Sequence, residues 1–180
     1  MDYRRNEDKW DDDVCGVSYN QVIDYDNGDP GDVVTLTEAK SYMKVEDDSE
    51  DDLISSLITA AVDLLEKYSF VNFTRRTVKA TVNNRNGGIY LPFGPVDDLT
   101  SITDADDNNY DYKLIGSKFK QLEYPVMSPV ILEYEGGFTE CPQQIKTAVK
   151  AQVLFMYENR GESGVSPLSV QLLNTYRRVY

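Results

Sequence analysis

DSEDDLISSLITAAVDLLEKYSF, residues 48–70, is the longest stretch of this chain with one sustained apolar rhythm. Leu53, Ile54, Leu57, Ile58, Ala61, Leu64, Leu65 and Tyr68 recur at spacings of three and four, which puts them on one stripe of an α-helix. Ser49 followed three residues later by Asp52 predicts a capping box. Glu50 and Asp51 add carboxylates to the first turn, where the helix dipole is positive. Seven large side chains on the stripe contribute on the order of 10–20 kcal/mol gross once buried. The reading is a core built on this helix. Its entry, Glu46–Asp52, holds six carboxylates in seven residues and must be solvated.

Upstream, Thr35–Val45 (TLTEAKSYMKV) predicts a short helix with a Thr35/Glu38 capping box and Leu36, Ala39 and Met43 on one face. Residues 1–32 sustain no period of two or 3.6. They carry Asp11–Asp13 and the turn-rich run Asp24–Gly31, and read as an extended or disordered acidic arm. Apolar and aromatic residues such as Trp10, Val17, Tyr19 and Ile23 give the arm material to order against a neighbour.

Downstream the period changes. Thr77–Val82 alternates, with Val78, Ala80 and Val82 on one side. Ile89–Leu91, Leu99–Thr103, Tyr110–Leu114, Phe119–Leu122 and Val130–Tyr134 follow as short strand candidates between Asn/Asp, Gly and Pro signals. They predict a small antiparallel sheet inserted between helices. Helical pattern resumes at Cys141-Pro142, with Pro142 at the first helical position, and Gly161 as the cap after Arg160. Val149–Tyr157 is apolar almost all round, so this helix needs cover on more than one side. Val153, Phe155, Met156 and Tyr157 are its candidate contacts to another subunit. Pro167–Asn174 reads as a last short helix.

The expected fold is therefore α+β: a small helical bundle of two N-terminal helices plus one long and one short C-terminal helix, with an inserted antiparallel β-sheet. An irregular arm, residues 1–32, precedes a domain of residues 33–180. Its helices are expected at 36–44, 50–69, 142–160 and 167–174, and its β insertion at about 73–135.

Charge narrows the function. The chain of 180 residues has a net charge of −13 and no histidine. Residues 1–52 hold 17 acids and 5 bases, and residues 53–180 hold 14 and 13, so the body is nearly neutral behind an acidic front. Gripping DNA from outside requires clustered Lys and Arg, which this chain lacks; an acidic surface tolerates DNA close by without holding it. No run approaches the roughly 18 apolar residues of a membrane span, and MDYRRNEDKWDDD lacks the apolar stretch of a signal peptide. A cytoplasmic setting is the default expectation, with Cys15 and Cys141 as free thiols.

Without histidine there is no Ser-His or Cys-His pair and no imidazole ligand. Cys141 at a helix start has nothing to activate it and reads as a small packed residue. Asp104–Asn109 imitates the start of a calcium loop, then fails with Asn109 at position six and Ile115 at position twelve. Asp24–Asp29 fails in the same way. Neither a GxxxxGK[ST] nor a GxGxxG occurs. The expectation is no catalytic residue, no metal and no cofactor. The terminal Tyr176-Arg177-Arg178-Val179-Tyr180 is different, because Tyr and Arg are enriched at interface hot spots.

The order of these parts resembles the head–tail connector proteins of long-tailed bacteriophages, also called head-completion or adaptor proteins, over about Val33 to Tyr180. The resemblance rests on VTLTEAKSYMKVEDDSEDDLISSLITAAVDLLEKYS, LPFGPVDDLTSIT, VILEYEGGF, the helix from CPQQIKTAV to Glu158-Asn159-Arg160, and Tyr176-Arg177-Arg178. It implies a non-enzymatic virion protein, made in the host bacterial cytoplasm and located at the capsid–tail junction. Copies form a ring, usually twelvefold, beneath the portal; it extends the DNA channel and presents a surface to the next neck or tail-completion protein. DNA passes through without specific binding, and no membrane is involved. The resemblance implies a portal contact for the C-terminal segment, here Tyr176, Arg177, Arg178, Val179 and Tyr180. The first 32 residues lie outside it.

Two other readings compete. A monomeric binding module would hold a ligand such as a glycan on the β insertion, using Tyr90, Phe93, Tyr110 and Tyr112. An acid-rich hydrolase would use a carboxylate pair among the 31 acids.

Overall fold

The computed structural model describes residues 17–25, 29–84, 89–91, 93–116, 120–123, 129–160 and 164–177. In chain order the elements are β1 (Val17–Tyr25), α1 (Leu36–Met43), α2 (Asp51–Ser69), β2 (Arg76–Asn84), β3 (Ile89–Tyr90), β4 (Val96–Thr103), β5 (Lys113–Ile115), β6 (Gln121–Glu123), β7 (Val130–Gly136), α3 (Gln143–Glu158) and α4 (Pro167–Leu173). The fold is α+β.

Local chemistry sets the helix ends. Thr35 caps α1 as its spacing predicts: the Glu38 N–H donates to its hydroxyl oxygen at 3.3 Å, and the Thr35 N–H donates to the Glu38 carboxylate at 3.0 Å. The start of α2 differs from the expected Ser49/Asp52 box. Asp47 is the capping side chain, accepting the Ser49 N–H at 2.9 Å and the Ser49 hydroxyl at 2.7 Å. It opens a 3-10 turn over Asp48–Glu50 that runs into α2. An aspartate two residues before a donor competes well for it, so the cap falls two residues early. Pro142 flanks α3 rather than opening it, with ψ at 140°. The expected Gly161 cap lies outside the described residues, and Asn159 closes α3. Ser166 caps α4 with Pro167 at its first position.

α2 contributes Ile54, Ile58, Ala61, Val62 and Leu65 to a helical core shared with Ala39 of α1, Ile145, Val149 and Val153 of α3, and Leu173 of α4. Leu53, on the expected stripe, is 38% exposed. α3 is the helix that packs against α1, α2 and α4, which explains why it is apolar nearly all round.

A second apolar cluster belongs to the sheets, so the core is not one body built on α2 alone. The larger sheet has the order β1-β2-β7-β4, and the smaller β3-β6-β5. Val78, Ala80 and Val82 of β2 stand opposite Tyr134, Leu132 and Val130 of β7, all fully buried. Leu122 of β6 and Leu91 after β3 close the same cluster.

The division at residue 32 needs correction. Strand β1 comes from the segment expected as an irregular arm, and it pairs antiparallel with β2, so the sheet is not purely an insertion. Register shifts between Tyr19 and Gln21 and between Val22 and Asp24 break the alternation, which hides the strand from a search for a period of two. Residues 1–16 lie outside the described residues.

The two cores meet at one junction. Asn72 N–H donates to the Gly94 carbonyl at 3.2 Å, and Gly137 N–H to the Pro95 carbonyl at 2.8 Å. The Phe93–Pro95 stretch thus lies between the exit of α2 and the end of β7. A Cβ on Gly136 would sit 2.6 Å from the Phe93 carbonyl oxygen, and one on Gly137, whose φ is +118°, 1.9 Å from that of Thr74. The glycine pair is there because backbone passes where a side chain would stand.

Candidate assembly surfaces

The acidic entry of α2 is exposed, as its composition requires, but half of its charge is held within the subunit. Lys40 Nζ donates to Asp48 and to Asp51 at 2.6 Å each. These contacts push the lysine above its ordinary range. Glu50 accepts the Tyr157 hydroxyl and lies 3.4 Å from Arg160, so the last turn of α3 is tied to the first turn of α2. That bond raises the Tyr157 phenol above its usual value. Among the described residues no ion pair takes up Glu46, Asp47 or Asp52, and all three are exposed.

At the other end of α2 lies the root of the C-terminal segment. With a rise of 1.5 Å per residue, Tyr68 stands about 25 Å from Asp51 along the helix. The Arg177 guanidinium lies over the Tyr68 ring, 4.7 Å from its centroid, and donates to its hydroxyl at 3.3 Å. Tyr176 meets Phe138 edge-on with centroids 5.9 Å apart and packs against the helical core. Two of the five candidate portal residues are therefore seated on their own subunit. Arg178, Val179 and Tyr180 lie outside the described residues.

The candidate subunit contacts on α3 separate in the same way. Val153 is fully buried in the helical core and cannot meet a neighbour, and Met156 packs against that core. Tyr157 is engaged with Glu50. Phe155 is half-buried and is not among the residues packed on the helical core. Beside α1 and α2, α4 covers a further side of α3, held by side chains on both helices. Ser169 Oγ donates to the Ala148 carbonyl at 2.7 Å. The buried Gln152 amide donates to the Gly164 carbonyl at 3.1 Å and accepts the Ser166 N–H at 2.8 Å. Sequence reading missed this clasp because its polar members look like surface residues; a Gln inside an apolar run was the available signal.

The chemical candidates resolve into structural roles. Burial pushes the Cys141 thiol up to about 12, so it is held as a neutral thiol. The Asp104 carboxylate accepts the Tyr110 hydroxyl at 2.6 Å, the Asp106 and Asn108 N–H groups at 2.9 Å each, and the Asn108 amide. These bonds depress it well below the usual carboxylate range. Its oxygens close a turn. Of the aromatics of the glycan reading, Phe93, Tyr110 and Tyr112 are half-buried and pack against the sheet cluster, and Tyr112 donates to Asp98 at 3.0 Å. The Tyr90 side chain lies outside the described residues. Among the described residues no three His, Cys, Asp or Glu side chains are grouped to hold a metal, and no helix is long and apolar enough to cross a membrane.

Residues 33–118 match the family described as phage gp6-like head-tail connector protein. No curated protein matches the chain. Among solved structures, the chain is similar to a chain in the neck of an empty gene transfer agent particle computed with C6 symmetry. That likeness has a TM-score of 0.71 at 18% identity and covers 87% of this chain and 95% of that one. A chain in the neck of the native particle, computed with C12 symmetry, gives 0.70 at 17% over 87% and 95%. A chain of the native gene transfer agent virion gives 0.68 at 16% over 91% and 96%. At these identities the likeness establishes the fold.

Proposed function

We propose that this chain, whose residues 33–118 match the phage gp6-like head-tail connector family, is a structural virion protein of the capsid–tail junction. The observation that carries the reading is that one continuous α+β fold is shared with neck chains over nearly the full length of both partners. Copies form a ring, in the twelvefold arrangement that the C12 neck suggests. The ring sits beneath the portal, extends the DNA channel and meets the next neck or tail-completion protein on its far side.

The physical chemistry supports each part of this role. A chain with a net charge of −13 lets packaged DNA pass without specific binding. Rings of identical subunits use two different faces of each copy, and the subunit has distinct ends, acidic at Asp51 and aromatic-cationic at Tyr68. The C-terminal segment reaches the portal through Arg178, Val179 and Tyr180, while Tyr176 and Arg177 hold its root against Phe138 and Tyr68. The role is read as non-enzymatic because the fold is that of neck chains.

Native mass measurement and electron microscopy of the purified chain, alone and with the cognate portal protein, test the proposal. A closed ring in either sample is the expected result. A strict monomer that ignores the portal at high protein concentration would overturn it.

A further inference from the structure

α1 and α3 leave a shallow open groove between them, lined by Thr37, Glu38, Ser41, Tyr42 and Lys150. The Lys150 ammonium lies 6.0 Å from the centre of the Tyr42 ring, and Lys146 stands one turn earlier on the same helix. No ion pair among the described residues takes up either lysine. Glu38 is the acid on the groove wall. Its carboxylate is already committed to the Thr35 N–H and hydroxyl, at 3.0 and 3.2 Å. The Thr35 hydrogen bonds, and after them the charges of Lys146 and Lys150, hold the Glu38 carboxyl below its ordinary value; as neither lysine is ion-paired with it, they, the Thr37 and Ser41 hydroxyls and the Tyr42 phenol still offer hydrogen-bond donors and positive charge to a further acid.

The complementary feature is the loop that follows α1. Of its six carboxylates, Asp48 and Asp51 are held by Lys40, and Glu50 by Tyr157 and Arg160. Glu46, Asp47 and Asp52 remain exposed. Lys40 and Tyr42 mark the two sides. Residues two apart on an α-helix point roughly 160° away from one another. Lys40 reaches the acidic loop, and Tyr42 reaches Lys150. The acidic loop and the basic groove thus lie on different flanks of α1, and among the described residues no ion pair joins them within one subunit.

We propose that the α1–α3 groove receives the acidic loop Glu46–Asp52 of the adjacent copy, with Lys146 and Lys150 facing Glu46 and Asp52 across the subunit boundary. This deepens the ring reading and rests on it. Two complementary faces on different flanks of one helix make a head-to-tail contact, which repeats around a ring when the rotation closes. Charge complementarity also disfavours the symmetric alternative, because pairing groove with groove or loop with loop sets like charges together.

A charge swap tests it on the full chain. Lys146→Glu/Lys150→Glu and Glu46→Lys/Asp52→Lys should each fold, with a circular dichroism spectrum like that of the parent, and each should lose association by about tenfold or more. Mixing the two variants should restore a ring of alternating copies, since each groove then meets a loop of opposite charge. Rings of either variant alone at the parent's concentration overturn the groove assignment and leave the ring reading intact. So does failure of the mixture to assemble. A parent chain that never assembles, alone or with portal, overturns the ring reading first.

Discussion

The Glu66 carboxylate receives a single guanidinium nitrogen of Arg76 on both oxygens, at 2.6 and 2.7 Å, where α2 has ended and β2 begins. Phe73 N–H donates to the same carboxylate at 2.6 Å. Both side chains are nearly solvent-free, at 5% exposure for Arg76 and 7% for Glu66. Burial raises the Glu66 carboxyl, opposed by the Phe73 N–H and by Arg76. The pair joins the helical core to the sheet.

Breaking one partner of this pair strands the other's charge in the interior. Glu66→Gln or Arg76→Met should each destabilise the subunit by about 3–5 kcal/mol. The double change Glu66→Gln/Arg76→Met should cost clearly less than the sum. Urea unfolding of the four proteins measures the cycle; additive losses would show that the two residues act separately.

The glycine pair at the end of β7 makes a second demand. Gly137→Ala sets a methyl against the Thr74 carbonyl and strains a positive φ, so it should cost about 2 kcal/mol or more. Gly164→Ala, at φ +129° with nothing within 4 Å, carries the backbone strain alone and should cost about 1 kcal/mol. Equal midpoints for the two variants would show that close approach at Gly137 is unimportant.

Asp104 makes part of the stability pH-dependent. Its folded pKa is depressed, first by the Tyr110 hydroxyl and then by Asn108. The unfolded chain therefore takes up a proton before the folded one does. The stabilisation is fully present above the unfolded value of about 3.9 and is lost as pH falls through the folded value. The melting temperature of the parent should exceed that of Asp104→Asn by a constant margin from pH 8 to 5, and the margin should shrink below pH 4. A margin unchanged down to pH 2 would contradict the assignment.

The C-terminal segment should divide at Arg177. Removing residues 178–180 should leave the melting temperature unchanged and weaken attachment to the portal. Removing residues 176–180 also strips Tyr176 from Phe138, a contact worth about 1 kcal/mol, and should lower the melting temperature by about 2–4 °C. Calorimetry and portal pull-down read the two effects apart. A large loss of stability from the shorter deletion would show that the last three residues are core.

Much of the local structure was legible because it is written in short-range chemistry. The Thr35/Glu38 box, the stripe of α2, the alternation of Val78, Ala80 and Val82, and the Pro167 start of α4 each depend on residues within a turn or a strand of one another. The acid-rich end of α2 was predictable as solvated because six carboxylates cannot share an interior. The family resemblance was legible from the order of these pieces, although no single piece is specific.

What only the tertiary structure decided depends on groups far apart in sequence. β1 became a strand by pairing with residues about sixty positions away, while its bulges erased the alternation that would have announced it. α3 required cover, but nothing local told which elements would supply it; within the subunit α4 covers one side, held by the Gln152 and Ser169 hydrogen bonds. The acidic stretch 46–52 read as one block of charge. Folding divides it into carboxylates tied to Lys40, Tyr157 and Arg160 and carboxylates left facing outward, because an ion pair depends on which helices come together and not on how many charges the chain contains.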